Sequence, residues 1–261
     1  MREQNRKRRI AVVTGASGGF GKEFVRLLLA EDTVEEVWAV ARNKEKLQKL
    51  EEECGSRIVP VPMDLTDPEE REAFAQRLKT EDVTIRFLVN NAGYAKFCTY
   101  EDLGIKDSLD MLELNCNAVV AMGLYCIPYM DQGSHIINIA SQASFQPLPY
   151  LNLYSASKAF VRNYSRALNV ELKEKGVTVT AVCPGWMDTA LYERANIGAE
   201  HTIHNFSGMS KPGRAAEKAF HDAKKGKDIS VPGIYTKICH FAAKVLPQKI
   251  MMKLWLLQQR M

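Results

Sequence analysis

Apolar runs of strand length alternate with amphipathic stretches of helix length along most of the chain. That alternation calls for a parallel sheet wound with crossover helices. Ile10–Thr14, Val37–Ala41, Ile58–Val61, Ile85–Asn90, Ser134–Ile139 and Val177–Cys183 read as six strands, and the short Ile229–Val231 as a seventh. Between them, Phe20–Ala30 sets Phe24, Leu27 and Leu28 on one helical face, and Asn43–Glu53 carries Leu47 and Leu50. Asp67 is placed to cap a helix through Leu78. A long helix is expected from about Asp107 to Met130, and another from near Asn152 to Lys175, stopped by Gly176. There is no internal repeat, low-complexity segment or flexible linker, so residues 1–261 read as a single α/β domain. Two stretches fall outside the rhythm: an insertion at 188–210, expected to form a substrate lid, and an apolar C-terminal extension at 234–261.

Composition excludes several classes. At 46% hydrophobic and 25% charged residues the chain has the balance of a globular protein, and at 261 residues it buries a large core without staples. The formal charge of +4 includes one N-terminal run, Arg6-Lys7-Arg8-Arg9, with no basic face elsewhere, which argues against nucleic-acid binding. The six cysteines show no C-x-x-C and no metal spacing, the pattern of reduced thiols in a cytoplasmic protein. His201-x-x-His204 lacks a third ligand, so no metal is expected. Ile10–Val13 is too short for a signal-peptide core, and no stretch reads as the roughly 18 apolar residues of a membrane span.

The first strand ends in Thr14-Gly15-Ala16-Ser17-Gly18-Gly19-Phe20-Gly21 and runs straight into a helix. Glycines there let the backbone turn tightly and approach a pyrophosphate, whose charge the helix N-terminus favours. Gly15, Ser17, Gly19, Phe20 and Gly21 are therefore candidate cofactor contacts. The spacing T-G-x-x-x-G-x-G resembles that of the short-chain dehydrogenase/reductase family, and the resemblance extends from about Ile10 to Val231. It implies a doubly wound Rossmann-type fold, a seven-stranded parallel sheet with helices on both faces, binding a nicotinamide dinucleotide.

The second strand ends in Val40-Ala41-Arg42-Asn43, with no carboxylate to accept from ribose hydroxyls. Arg42 can instead pair with a 2′-phosphate, which points to NADP(H). NADP-preferring relatives often add a basic residue inside the glycine loop, where this chain has Gly18. The resemblance further implies that Asp64-Leu65 hold the adenine ring and that Asn91, in Asn90-Asn91-Ala92-Gly93, contacts the adenosine side. It implies that Pro184, Gly185, Met187 and Thr189 meet the nicotinamide.

Tyr154 and Lys158 are spaced i, i+4 and share one helical face. A nearby ammonium is expected to pull the phenol below its ordinary value of about 10 and make it an acid/base near neutral pH. Ser141, thirteen residues before Tyr154, is expected to stabilise the substrate oxygen. Asn115 is implied as the fourth member, bending the long helix and anchoring a water that runs to Lys158.

Together these features predict an NADP(H)-dependent oxidoreductase interconverting a secondary hydroxyl and a ketone. Phe145, Leu148, Pro149, Tyr150, Leu151, and Tyr94, Phe97 and Tyr100, would supply an apolar pocket, as would Leu191, Tyr192, Ile197, Ile203, Phe206 and Met209 of the insertion. A bulky apolar substrate follows, with a steroid or bile acid as the leading case. A 3-ketoacyl or general carbonyl reductase stays open as an alternative, and a non-catalytic dinucleotide sensor as one of another class. Helices 107–130 and 152–175 are the expected contacts of a homodimer or homotetramer. The 234–261 tail is expected to pack over the substrate mouth or a neighbouring subunit, in preference to lying on a membrane surface as a basic amphipathic segment, because its helical pieces are short and its lysines few.

Overall fold

The computed structural model describes residues 7–189, 195, 203 and 205–260. The strands are β1 (Arg8–Thr14), β2 (Glu36–Ala41), β3 (Ile58–Pro62), β4 (Val83–Asn90), β5 (His135–Ile139), β6 (Thr178–Val182) and β7 (Ile229–Ser230). They form one sheet in the order β3-β2-β1-β4-β5-β6-β7, every pairing parallel. This is the doubly wound arrangement expected from the alternation. The strand order reverses between β1 and β4, and the crevice outside their C-terminal ends is where such sheets bind ligands. Pro60 and Pro62 sit in the edge strand β3, where a missing N–H costs least.

Helices cover both faces. α1 (Gly19–Leu29) and α7 (Pro212–Lys224) lie on one side with Phe20, Phe24, Ala216 and Ala219 in the core. α3 (Pro68–Thr80), α5 (Ala118–Cys126) and α6 (Asn152–Glu171) line the other with Phe74, Leu78, Met122 and Leu168. Asp67 Oδ1 accepts from Glu69 N at 2.8 Å, the cap expected from sequence, and Asn43 caps α2 (Lys44–Cys54) through Lys46 N at 2.7 Å.

Two elements depart from expectation. The long helix is α4 (Ile105–Leu112), a π-turn over Glu113–Asn117, then α5 and a 3₁₀ turn, Ile127–Tyr129. Residues 105–129 thus have the length and hydropathy of a membrane span. Met111, Cys116, Val119 and Met122 are nevertheless buried within the fold. α6 ends at Glu171 rather than Lys175, because Val177 N turns back to Leu172 O at 3.3 Å. Gly176, at φ +71°, closes that turn rather than the helix itself. The tail forms two further helices, α8 (Ile234–Val245) and α9 (Gln248–Gln259).

A buried polar ladder fixes α6 to the sheet. Asn90 Nδ2 donates to Asn138 Oδ1, and Asn138 Nδ2 to Ser165 Oγ, both at 2.9 Å. Ser165 Oγ in turn donates to Val161 O at 2.6 Å. Within an apolar core each such group is costly to orphan. Asn138→Ala should therefore lower the unfolding free energy by about 1–3 kcal/mol, read from the midpoint of a urea titration. An unchanged midpoint would show that the ladder does not hold the helix.

Candidate active site

The glycine loop is built by steric necessity. Gly15 has φ +64°, a left-handed conformation that side chains disfavour. A Cβ on Gly21 would run into the carbonyl oxygen of Gly15. The loop is braced from β4: Asn91 Nδ2 donates to Thr14 O at 3.0 Å and Gly15 O at 3.1 Å. Thr14 Oγ1 accepts from Asn91 N and Ala92 N at 3.0 and 3.1 Å. Asn91 thus has a bracing role besides the contact expected of it, its Nδ2 committed to the loop while the residue lines the cleft. Thr189 leans over the loop, its Cγ2 lying 3.3 Å from where a Gly19 Cβ would stand.

A continuous cleft of about 700 Å³ begins at this loop. At one end it is lined by Gly15, Ser17, Gly19, Phe20 and Gly21, then by Arg42, Asp64 and Leu65. Arg42 is exposed, its Nη1 3.8 Å from Asp64 Oδ2. Burial pushes the Asp64 carboxyl up, but hydrogen bonds from Thr66 and the Arg42 charge outweigh it and hold the carboxyl below its usual range. Lys46, in the first turn of α2, lines the same end. Sequence reasoning passed over Lys46 while looking for a second cation at Gly18; its place three residues after the Asn43 cap was the available signal.

At the middle of the cleft stand Ser141, Tyr154 and Lys158. Ser141 follows β5 and caps a 3₁₀ turn, Gln142–Phe145, accepting from Ala143 N at 3.1 Å. Its hydroxyl also hydrogen-bonds the Tyr154 phenol. Lys158 is 4% exposed, and its Nζ donates to Ile139 O at 2.9 Å. Burial lowers this ammonium to about 8.

The expected depression of the tyrosine does not appear here. Burial raises the Tyr154 phenol above its ordinary value, with only the Ser141 hydrogen bond pulling the other way. The lysine is turned toward a backbone carbonyl, and its Nζ stands 5.8 Å from the phenol ring centre. Two desolvated groups so placed each disfavour their own charged form.

Asn115 sits in the π-turn, fully buried. Such turns recur where a helix must re-aim a functional side chain. Its amide donates to Tyr94 O at 2.9 Å and Ser157 Oγ at 3.1 Å, and its Oδ1 accepts from Tyr94 N at 3.1 Å. Asn115 therefore pins the Tyr94 backbone to α6. A Cβ on Gly93 would fall 2.8 Å from Asn115 Oδ1 and 3.2 Å from Lys158 Nζ, so both polar groups face that one glycine.

Pro184, Gly185, Trp186, Met187 and Thr189 follow β6 along the cleft wall. Met187 bridges to Ser210, and Trp186 O accepts from Ser210 N at 2.9 Å. Gln142 Oε1 is buried without a partner among the described residues and stands beside Gly185. No spacing rule would have found it. This orphaned acceptor and the glycine cradle fit a long polar ligand that supplies hydrogen bonds of its own.

The far end is apolar. Phe97, Leu148, Leu151, Ile203 and Trp255 are buried in one cluster, with Tyr154 and Trp186 against it. The tail closes this end: Trp255 Nε1 donates to Pro149 O at 3.0 Å, and its ring stacks on Trp186 at 6.4 Å. Gln259 and Asn205 exchange hydrogen bonds at 3.0 and 3.1 Å. Tyr100 is exposed and bonded to Glu101, and Met209 is also exposed, so neither lines the pocket. Leu191, Tyr192, Ile197, His201 and His204 lie outside the described residues, and with them most of the 188–210 insertion.

Known proteins share this arrangement. The short chain dehydrogenase family model matches residues 9–199. An uncharacterized oxidoreductase of Staphylococcus aureus is 34% identical over 186 residues, covering 70% of this chain and 80% of the relative. A short-chain dehydrogenase from Sphingobium yanoikuyae, solved with NADPH, is 25% identical with a TM-score of 0.76, covering 93% of this chain and 95% of that one. A short-chain dehydrogenase/reductase from Burkholderia phymatum, solved with NAD, has a TM-score of 0.78 over 95% of each chain; at 19% identity it shares the fold alone. Glycine cradle, Ser-Tyr-Lys cleft and family match converge on one assignment: the chain belongs to the short-chain dehydrogenase family of nicotinamide-dinucleotide-dependent oxidoreductases.

Proposed function

We propose that the protein is an NADP(H)-dependent oxidoreductase that interconverts a secondary hydroxyl and a ketone on a bulky apolar substrate, a steroid or bile acid being the leading case. The observation that carries this reading is the single cleft, polar and glycine-walled at one end, apolar and roofed by Trp255 at the other, with Ser141 and Tyr154 between. When bound, the dinucleotide supplies the hydride acceptor or donor. Arg42 and Lys46 are placed to hold a 2′-phosphate, since the Arg42–Asp64 contact is a long, exposed ion pair that a doubly charged phosphate readily displaces.

In the reduction direction the phenol of Tyr154 donates its proton to the carbonyl oxygen, and the Ser141 hydroxyl steadies that oxygen as charge develops. A phenol whose value is raised by burial is held in the protonated form this step needs. Lys158, buried and held to Ile139 O, lies one helical turn from Tyr154, its Nζ 5.8 Å from the phenol ring centre. Among the described residues no arginine lines the apolar end to receive a carboxylate or phosphate, which favours a substrate recognised by shape and apolar contact. Exposed Leu109 and Leu124 on α4 and α5, with Phe160 and Val170 on α6, supply the surface for a homodimer or homotetramer.

Tyr154→Phe should cut turnover of steroid ketones with NADPH by about 10²–10⁴-fold while leaving NADPH affinity within a factor of two or so. Retention of a tenth of the wild-type kcat would remove Tyr154 from the reaction. Arg42→Ala combined with Lys46→Ala should raise KM for NADPH at least tenfold more than KM for NADH, since a charge-assisted contact contributes about 1.5–3 kcal/mol. Equal changes in both, or a wild-type enzyme that prefers NADH, would reject the 2′-phosphate site.

A further inference from the structure

The tail has two faces, and only one is used by the cleft. The inner face carries Met251 and Trp255, both buried. The outer face is apolar and uncovered. On α8, Ile234, Ile238, Phe241 and Val245 follow one another at steps of four, three and four, and stand 79, 61, 68 and 60% exposed. On α9, Ile250, Leu254 and Leu257 repeat the same spacing, 45, 48 and 71% exposed. Steps of three and four keep a side chain on one face of a helix. Seven large aliphatic and aromatic side chains are thus presented to solvent on adjacent helices, far more than isolated exposed hydrophobics require.

Charge says what this face meets. A lysine immediately precedes a stripe residue four times: Lys237–Ile238, Lys244–Val245, Lys249–Ile250 and Lys253–Leu254. All four are exposed, and none forms an ion pair with a described residue. From Ile229 to Met261 the chain has no Asp or Glu, though it holds 31 acidic residues elsewhere. The described residues of the N-terminal basic run, Lys7, Arg8 and Arg9, do not belong to this surface. Arg8 and Arg9 open β1, at the opposite end of that strand from the cleft, and are paired with Glu36 and Glu35.

We propose that the outer face of α8 and α9 docks on an anionic phospholipid surface, with the stripe seated among the acyl chains and the lysines at the headgroups. An apolar helix face flanked by lysines that can extend their stems is the arrangement an interfacial helix needs. A second copy of this chain is a poor occupant. A two-fold pairing through the same face would set the lysines against their counterparts with no carboxylate from residues 229–261 to offset them. Docking also has a consequence for the cleft: Ile238 and Leu254 belong both to the stripe and to the cleft lining, so this wall of the apolar end would rest on the lipid surface. The proposal does not depend on the identity of the substrate.

Co-sedimentation of the full-length protein with vesicles tests it without turnover. The protein should pellet with mixed phosphatidylglycerol–phosphatidylcholine vesicles, stay in solution with pure phosphatidylcholine, and be released as salt rises. Lys244→Glu with Lys253→Glu should weaken partitioning at least about tenfold, with kcat on a soluble ketone and the thermal midpoint unchanged. In a Phe241→Trp variant, brominated phosphatidylcholine included in the anionic vesicles should quench the added fluorescence. Absence of pelleting, equal pelleting with neutral vesicles, a charge-reversed variant that partitions like the wild type, or no quenching would each overturn the proposal. So would a dimer that Phe241→Ser converts to monomer in the absence of lipid, which would give the face to a second copy.

Discussion

The site depends on one close passage of backbone. Where β1 ends, Gly15 turns left-handed and Gly21 packs against its carbonyl, while Asn91 from the end of β4 holds two carbonyls of the turn. That contact lies at the reversal of strand order, so it fixes both the phosphate cradle and the relation of β1 to β4. From β4 the constraint passes through Asn90 and Asn138 to Ser165 on α6, the helix that carries Tyr154 and Lys158. The cofactor end and the proton-transfer end of the cleft are therefore positioned by one chain of buried hydrogen bonds. A side chain at Gly21 would collide with backbone, which cannot step aside as a flexible side chain can.

Much of this was legible in the sequence because it rests on local rules. Alternating apolar runs specify parallel strands, a glycine-rich turn between strand and helix specifies a phosphate cradle, and a Tyr-x-x-x-Lys step specifies a shared face. What local rules miss are distances between elements. The i, i+4 spacing of Tyr154 and Lys158 suggested an ammonium acting on a phenol. The folded chain instead directs Lys158 to Ile139 O, a partner nineteen residues away, and burial decides the tyrosine. Asn91, expected as a cofactor contact, also braces the loop, a role the sequence hides because the carbonyls it holds come from a different strand. The π-turn at Glu113–Asn117 has no local residue signature, because the contacts of its Asn115 reach Tyr94 and Ser157 on other elements.

The tail shows how one amphipathic pattern can serve two surfaces. Trp255 and Met251 face inward and close the apolar end of the cleft, while Phe241 and Leu257 face out. Helical periodicity alone could not divide these roles, because both α8 and α9 have apolar residues on more than one side. Packing over the mouth, the expectation for this segment, and lying on a membrane concern opposite faces of the same helices and are physically compatible.

The central claim is that one cleft brings a nicotinamide and a bulky apolar ketone together beside Tyr154. Its most direct test is transfer of label. NADPH deuterated at nicotinamide C4, in each of its two stereoisomers, is incubated with the enzyme and a panel of steroid ketones, and the alcohols are analysed by mass spectrometry. The account predicts one deuterium on the carbinol carbon from one stereoisomer only, and none from the other. Alcohol that carries no deuterium from either, or no steroid alcohol while small ketones are reduced, would contradict it.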